Sequence, residues 1–461
     1  MRLFWLHCIV TLVAASALLS PSARAEDKRP NILLMFTDDQ PQNVMGFAGN
    51  TAVHTPHMDS LAQRGIYFDN AFVTTPICCS SRACLFTGQQ MNRHGIRDFK
   101  APLSAAAFAK TYPAMLRKSG YRTGYLGKYA IGNPALHRRE LCLPANKFDD
   151  WYGFPQNIAY RQDVDGEGQY LTQVMSDKAI EFLQQSTPDQ PFCLTVAFKE
   201  PHGPFNYFDP LTPNIYENAE LPCSPTFTAD DFESQPKFIR ESLNGDNSRG
   251  FLASNERLQS HLRTFYRTVT RADQAVGEIL AALKQLKLDE NTVIIFTSDH
   301  GDLLGDHGLF GKWLLYEDSI RVPLIVYDPR IPEPLRSGRR DELALGIDLA
   351  PTMLALAGIT PPDAMQGKDL MPVIDGSADN WRSHFYCEHT YNTDPPRAPI
   401  AESEGIRTTK WKYIRYPNTN PVFEQLFDLD TDPEERTNLA GSADASEVVA
   451  ELRALCDKSG N

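Results

Sequence analysis

The sequence predicts an α/β fold: a large, mostly parallel β-sheet sandwiched by helices, followed by a small C-terminal α+β subdomain. Three observations predict it. Largely apolar runs of strand length recur at residues 32–36, 191–197, 292–296 and 323–327. Such runs fit strands covered on both faces, as in parallel sheets. Segments with helical spacing of apolar residues lie between them, so strands and helices alternate. Beyond Gly376 the character changes, and residues 405–416 and 424–428 read as antiparallel strands.

The first 25 residues have the layout of an export signal. Arg2 gives a thin positive region, residues 3–19 are mostly apolar, and Ala23-Arg24-Ala25 is a small-x-small cleavage site after the Ser20-Pro21 break. The apolar run is short for a bilayer and is followed by a cleavage site. The mature chain is therefore expected to begin near Glu26, without a membrane anchor, and to be periplasmic or secreted. Residues 26–376 are expected to form the main domain and 377–461 the subdomain.

The run at 32–36 is the first strand, and it ends in Thr37-Asp38-Asp39-Gln40. Open α/β sheets place their sites at such C-terminal strand ends. Thr55-Pro56 opens a helix through Met58, Leu61 and Ala62, stopped by Gly65. Residues 80–87 read as a short helix ended by Gly88, with Cys78 and Cys79 at its N-terminal mouth. Residues 112–118 are amphipathic, and 121–126 form a strand ending in Gly127-Lys128-Tyr129. Residues 144–168, rich in Asp, Asn and Gly, read as loop; 171–184 are helical in period. The strand at 191–197 runs into Lys199-Glu200-Pro201-His202-Gly203-Pro204. Residues 210–255 read as a surface excursion bordering the site. The longest helix is expected at 258–286. The strand at 292–296 ends in Thr297-Ser298-Asp299-His300-Gly301. A helix at 349–356 is closed by Gly358, and a turn at Asp432-Pro433-Glu434 leads to a last helical stretch at 448–455.

Composition limits the function classes. The chain has 461 residues, 42% hydrophobic and 22% charged, a soluble globular balance. Its net charge of -13 argues against nucleic-acid or anionic-membrane binding. A polyanionic substrate therefore needs a local basic pocket. Of nine cysteines, Cys8 leaves with the signal, and spacing alone pairs none of the other eight.

The chemistry centres on Cys78 to Gly88. A helix N-terminus offers orphan N–H groups and the positive end of the helix dipole, favouring a nucleophile or an anion. Arg82 adds a fork suited to oxyanions. A Cys-Cys-x4-Cys metal knot lacks a second Cys or His pair at zinc spacing. Two buried strands far apart in sequence each end in a metal-ligand pair, Asp38-Asp39 and Asp299-His300. Three aspartates to one histidine favour Ca²⁺, or Mg²⁺, over zinc.

The order Cys78-x-x-Ser81-Arg82-x-x-Leu85-x-Thr87-Gly88 resembles the signature of the type I sulfatases, of the alkaline-phosphatase-like superfamily; Ser80 stands where that family usually has Pro. The resemblance runs from about residue 30 to the end. It implies that a formylglycine-generating maturation enzyme oxidises Cys78, whose hydrated aldehyde is the nucleophile. It implies Ca²⁺ on Asp38, Asp39, Asp299 and His300, completed by the oxygen of residue 78. Lys128 matches the Lys of the family's Gly-Lys-Trp-His, with Tyr129 for Trp and Ala130 for His. His202 matches Pro-His-x-Pro and is expected to protonate the leaving group. Lys312, with His307 nearby, is expected to bind sulfate beside Arg82 and Lys128. The implied reaction is hydrolysis of a sulfate ester, on a sulfated carbohydrate. The alternatives are a phosphonate or phosphodiester hydrolase of the same superfamily and a catalytically silent carbohydrate-binding relative.

Overall fold

The computed structural model describes residues 29–164, 166–205, 212, 215–333, 335–391 and 399–460. The export signal read at 1–25 lies outside these residues. No helix among the described residues is long and apolar enough to cross a membrane.

The main domain is built on an eight-stranded sheet. In chain order its strands are β1 (Asn31–Asp38), β2 (Ile66–Phe68), β3 (Arg122–Lys128), β4 (Asp150–Phe154), β5 (Phe192–Pro201), β6 (Thr292–Ser298), β7 (Leu324–Tyr327) and β8 (Gly338–Arg340). Their spatial order is β8-β2-β7-β6-β1-β5-β3-β4. The pairs from β6 to β4 are parallel, while β7 runs antiparallel to both β6 and β2. β1 lies at the centre because both its faces are apolar. Ile32, Leu34 and Phe36 enter one core, Leu33 and Met35 the other, and all five are fully buried. Each such burial contributes about 1.5–3 kcal/mol.

Helices cover both faces. On one side are α2 (Cys78–Thr87), α3 (Tyr112–Lys118) and α7 (Leu349–Leu356). On the other are α1 (Pro56–Arg64), α4 (Leu171–Gln184) and α6 (Asn255–Gln285). α5 (Leu243–Leu252) packs beside α6. α6 starts where the Ser254 side chain accepts from Arg257 N, and its buried Leu258, Leu262, Phe265, Val269, Ala272, Val276, Ile279 and Leu283 form one stripe at 3.6-residue period. Asp273 of α6 also accepts from Met58 N at 2.7 Å and His57 N at 3.0 Å, capping α1 from a distance.

The C-terminal part is a four-stranded antiparallel sheet, β9 (His384–His389), β10 (Ser403–Thr408), β11 (Trp411–Tyr416) and β12 (Phe423–Asp428), covered by α8 (Ser446–Gly460).

Four local readings are corrected. The segment 144–168 holds edge strand β4 and a small hairpin, Arg161–Val164 with Glu167–Tyr170, because Trp151, Tyr152 and Phe154 carry strand propensity between the turn residues. The excursion at 210–255 contains helices, including α5. The run 405–416 is a hairpin of two strands that turns at Thr409 and Lys410. α2 begins at Cys78 instead of Ser80, because the Ile77 carbonyl already accepts from Ser81 N at 2.9 Å.

Candidate active site

Parallel strands gather their C-terminal ends at one edge, and that edge holds the site. Thr37 pairs with Ser298, so Asp38 and Asp299 emerge side by side. The β1–β5 register slips after Phe36, and Asp38 pairs with Pro201, the neighbour of His202. Lys128 ends β3, two strands from β1. α2 then points its first residue, Cys78, at this edge. Asp39 takes a left-handed backbone, φ 75°, which Asp tolerates better than most residues. Gly301 lets the chain turn after His300, since a Cβ there would lie 1.9 Å from the Asp318 carbonyl oxygen.

Four side chains surround Cys78 Sγ. His300 Nε2 is 3.2 Å away, Lys312 Nζ 3.3 Å, Asp38 Oδ1 3.4 Å and Lys128 Nζ 3.5 Å. Lys128 Nζ also lies 2.5 Å from Asp38, and Lys312 Nζ 2.6 Å from Asp39. His300 Nδ1 is 3.3 Å from Asp39. His202 Nε2 is 3.7 Å from Asp39 and 3.5 Å from Asn157 Nδ2. The ligand atoms of Asp38, Cys78, Asp299 and His300 all lie within 4.8 Å of one another, as do those of Asp38, Asp39, Cys78 and His202. The three carboxylates of Asp38, Asp39 and Asp299 in these sets suit a hard divalent cation.

Charge and burial set the protonation. Burial alone would raise the Asp38 carboxyl, but Lys128, His202, Arg82 and Lys312 hold it well below the usual carboxylate range. Asp39 is pushed up to about 6 by burial, against the pull of Lys312. Burial would also lower Lys312, yet Asp39 leads the neighbours that hold it well above its usual value. Burial, then Lys312 and Lys128, lower His202. Asp38 and Cys78 are almost fully buried, whereas the side chains of His202 and Asp39 are 19% and 10% exposed. The opening is therefore on the His202 side.

Residues 30–359 match the sequence pattern of the sulfatase family, and 305–459 match that of the N-sulphoglucosamine sulphohydrolase C-terminal region. The chain belongs to the sulfatase family. It is a sulfuric ester hydrolase with the α/β architecture of the alkaline-phosphatase-like fold. An N-acetylglucosamine-6-O-sulfatase from Bacteroides thetaiotaomicron is 28% identical, over 94% of this chain and 87% of that protein. An arylsulfatase from Clostridium perfringens is 29% identical, over 93% and 94%. A protein solved in complex with its substrate D-glucosamine-2-N,6-O-disulfate superposes with a TM-score of 0.81 at 26% identity, covering 94% of this chain and 97% of that one. The phosphonate monoester hydrolase of Agrobacterium radiobacter shares the fold, with a TM-score of 0.72 at 23% identity, over 94% and 96%.

Within this sulfatase the structure gathers Asp38, Asp39, Cys78, Lys128, His202, Asp299, His300 and Lys312, as the sequence suggested. Two residues are placed otherwise than as direct sulfate ligands. The Arg82 guanidinium is fully buried, behind the carboxylates. Its Nε lies 2.8 Å from Asp299, Nη2 lies 2.9 Å from Asp38, and Nη1 donates to the Lys128 carbonyl. Three of its five N–H groups are committed to these acceptors, so it orders the carboxylates. His307 also leaves the sulfate-binding set. It takes a left-handed turn, φ 58°, and stacks on Tyr316 at 3.9 Å between ring centroids, with Glu435 4.0 Å from its Nε2. Of the motif cysteines, Cys79 faces the core, and Cys84 lies by Thr74 and His94, its thiol pushed up to about 12 by burial. The eight described cysteines are free thiols.

Sequence reading missed four supports. Ser81 Oγ donates to the Asp299 carbonyl, and Tyr125 OH donates to the Lys128 carbonyl at 2.6 Å. Fully buried Asn244 of α5 donates from Nδ2 to the carbonyls of Phe310 (3.0 Å) and Lys312 (2.8 Å). Ser248 accepts from Phe310 N at 2.9 Å. α5 thus clamps the backbone that presents Lys312. An Asn 68 residues before that lysine carries no signal until the two are folded together.

Proposed function

We propose that this sulfatase is exported, acts on a sulfated glycan, and uses a formylglycine made from Cys78 by a maturation enzyme. Asp38, Asp39, Asp299 and His300 would hold Ca²⁺, with Mg²⁺ the competing hard cation. The observation that carries the reading is the arrangement at Cys78 Sγ, where two buried lysines and His300 lie within 3.5 Å of one helix-N-terminal atom. The glycan is supported by the N-acetylglucosamine-6-O-sulfatase among the relatives and by the fold neighbour bound to D-glucosamine-2-N,6-O-disulfate.

A bound divalent cation supplies Lewis-acid polarisation of a sulfate oxygen. Lys128 and Lys312 neutralise charge spread over the sulfuryl oxygens. One hydroxyl of hydrated formylglycine 78 attacks sulfur as the sugar oxygen leaves. His202 Nδ1 sits on the Gly203 carbonyl, which can only accept, so Nδ1 keeps its hydrogen; Nε2 is bare in the neutral ring and carries a transferable proton only when the ring is doubly protonated. An arriving sulfate monoester is an anion and favours the protonated ring. Loss of a proton from the second hydroxyl expels sulfate and restores the aldehyde, a route closed to a plain Ser or Cys ester. Ala130 offers no base, so that proton must pass to a group already at Sγ or to water. Sulfate release from a panel of sulfated glycans, beside turnover of an aryl sulfate and a phosphodiester, tests the reading. Preferred phosphodiester turnover favours the phosphonate and phosphodiester hydrolases, whose fold is shared.

A further inference from the structure

The sheet edge beside Lys128 carries a groove that the catalytic residues do not use. A cavity of about 390 Å³ is lined by Trp151, Tyr152 and Phe154 of β4, by Ile158, and by Arg139 across from them. Its position is fixed by register. Phe154 is the strand partner of Lys128, and its carbonyl accepts from Tyr129 N at 2.8 Å. The loop from Phe154 to Tyr160 forms a bank shared with the catalytic opening. Asn157 on it meets His202 Nε2 at 3.5 Å, the Ile158 carbonyl accepts from Lys199 Nζ at 2.7 Å, and Tyr160 OH donates to the His202 carbonyl at 2.7 Å. The groove is thus one strand over from the sulfate-binding lysine.

Its chemistry is amphiphilic. Tyr152 is half-buried and presents aromatic carbon, which suits the C–H face of a pyranose; Trp151, on the opposite face of the strand, has its ring stacked on Tyr125 at 5.1 Å and forms the groove's inner side. Arg139 is exposed, and it follows His137 and Arg138 in a short basic run. Arg138 pairs with Glu140, but on a chain of net charge -13 the exposed Arg139 is still a local attraction for anions. The guanidinium fork fits a carboxylate or a sulfate in two-point contact. We infer that this groove binds the sugar unit next to the sulfated one in an anionic oligosaccharide, with Arg139 on that unit's carboxylate or sulfate and Tyr152 against its ring. The inference rests on the proposed glycan reading and adds to it a second subsite and the charge of its occupant.

The test uses the mature full-length enzyme supplied with Ca²⁺ and three probes: 4-nitrophenyl sulfate, N-acetylglucosamine 6-sulfate, and a uronate-linked disaccharide of the same N-acetylglucosamine 6-sulfate. The disaccharide is expected to show kcat/KM about tenfold or more above the monosaccharide, roughly what one charge-assisted contact gives. Arg139→Ala should raise KM for the disaccharide by a similar factor with kcat unchanged, and leave the other two probes untouched. Arg139→Lys should recover part of the loss. Turnover of 4-nitrophenyl sulfate with no turnover of either sugar overturns the glycan reading and the groove with it. Turnover of both sugars with equal kcat/KM, or equal losses on all three probes in Arg139→Ala, overturns the groove alone. Arg139 is exposed, so loss of folding does not confuse the result; Tyr152→Ala supplies an independent variant of the opposite wall.

Discussion

Replacing Asn244 with alanine should cripple the enzyme although Asn244 never meets substrate. Its Nδ2 donates to two buried carbonyls, Phe310 at 3.0 Å and Lys312 at 2.8 Å. Each carbonyl left without a donor costs about 1–3 kcal/mol, so the pair is worth about 2–6 kcal/mol. Part of this appears as lost stability and part as drift of the loop. The Lys312 ammonium lies 3.3 Å from Cys78 Sγ, and a shift of about 1 Å in such a group costs on the order of 10²-fold in rate. Two measurements separate the parts. Thermal melting reads stability, and kcat/KM on 4-nitrophenyl sulfate, at a temperature well below the variant's melting point, reads placement. Ser248→Ala, which removes one acceptor for Phe310 N, should give a milder version of both effects. A double-mutant cycle with Lys312→Ala decides the route: once Lys312 is gone, Asn244→Ala should cost little further activity. An Asn244→Ala enzyme with full kcat/KM, or one that loses the same factor with and without Lys312, refutes the reasoning.

His202→Ala should slow desulfation of a sugar by about 10²–10⁴-fold, the span of general acid–base catalysis, but slow an activated aryl sulfate far less; equal losses on both would show that His202 binds sulfate instead. Asp38→Ala and Asp299→Ala should each remove bound metal, read by elemental analysis, together with activity. After chelation Ca²⁺ or Mg²⁺ should restore the rate, and restoration by Zn²⁺ alone would contradict the hard-cation assignment. Glu435 provides a pH test away from the site. Burial pushes its carboxyl up to about 7, against the pull of Lys412 at 2.8 Å. A raised carboxyl binds its proton more tightly folded than unfolded, so its contribution is full below the unfolded value of about 4.3 and is lost as pH rises through about 7. Glu435→Gln, which keeps an acceptor for Glu317 N, should flatten the fall in melting temperature between pH 5 and 7.5; an unchanged slope sinks this account.

The parallel core was legible because its strands are apolar on both faces and its helices keep their period; β1 and α6 needed no tertiary information. The site was legible to the extent that its residues end strands or open a helix. Asp38-Asp39 and Asp299-His300 announce themselves as polar pairs on apolar runs, and Cys78 by its signature. What was hidden is what distance in sequence hides. Arg82 reads as an anion binder on its helix, yet the fold spends its fork on Asp38 and Asp299. His307 belongs to a sulfatase-like motif, but its left-handed turn carries the ring to Tyr316 and Glu435. Edge strand β4 was masked by the Asp, Asn and Gly around it, because an edge strand has one neighbour and little need of a continuous apolar run. Asn244 lay in a segment whose composition says surface, while its side chain is fully buried.

The central claim is that residue 78 is the modified nucleophile, and the tryptic peptide spanning residues 65–82 tests it most directly. Conversion of CH₂SH to CHO lowers the peptide mass by about 18 Da, and hydration of the aldehyde restores nearly that mass, so the peptide is read before and after capture with a hydrazide reagent. The account predicts the loss and the capture at Cys78, with Cys79 unchanged, in preparations whose sulfatase activity rises with the modified fraction. Full activity from a chain carrying an unmodified Cys78 thiol, or the modification on Cys79, would contradict it.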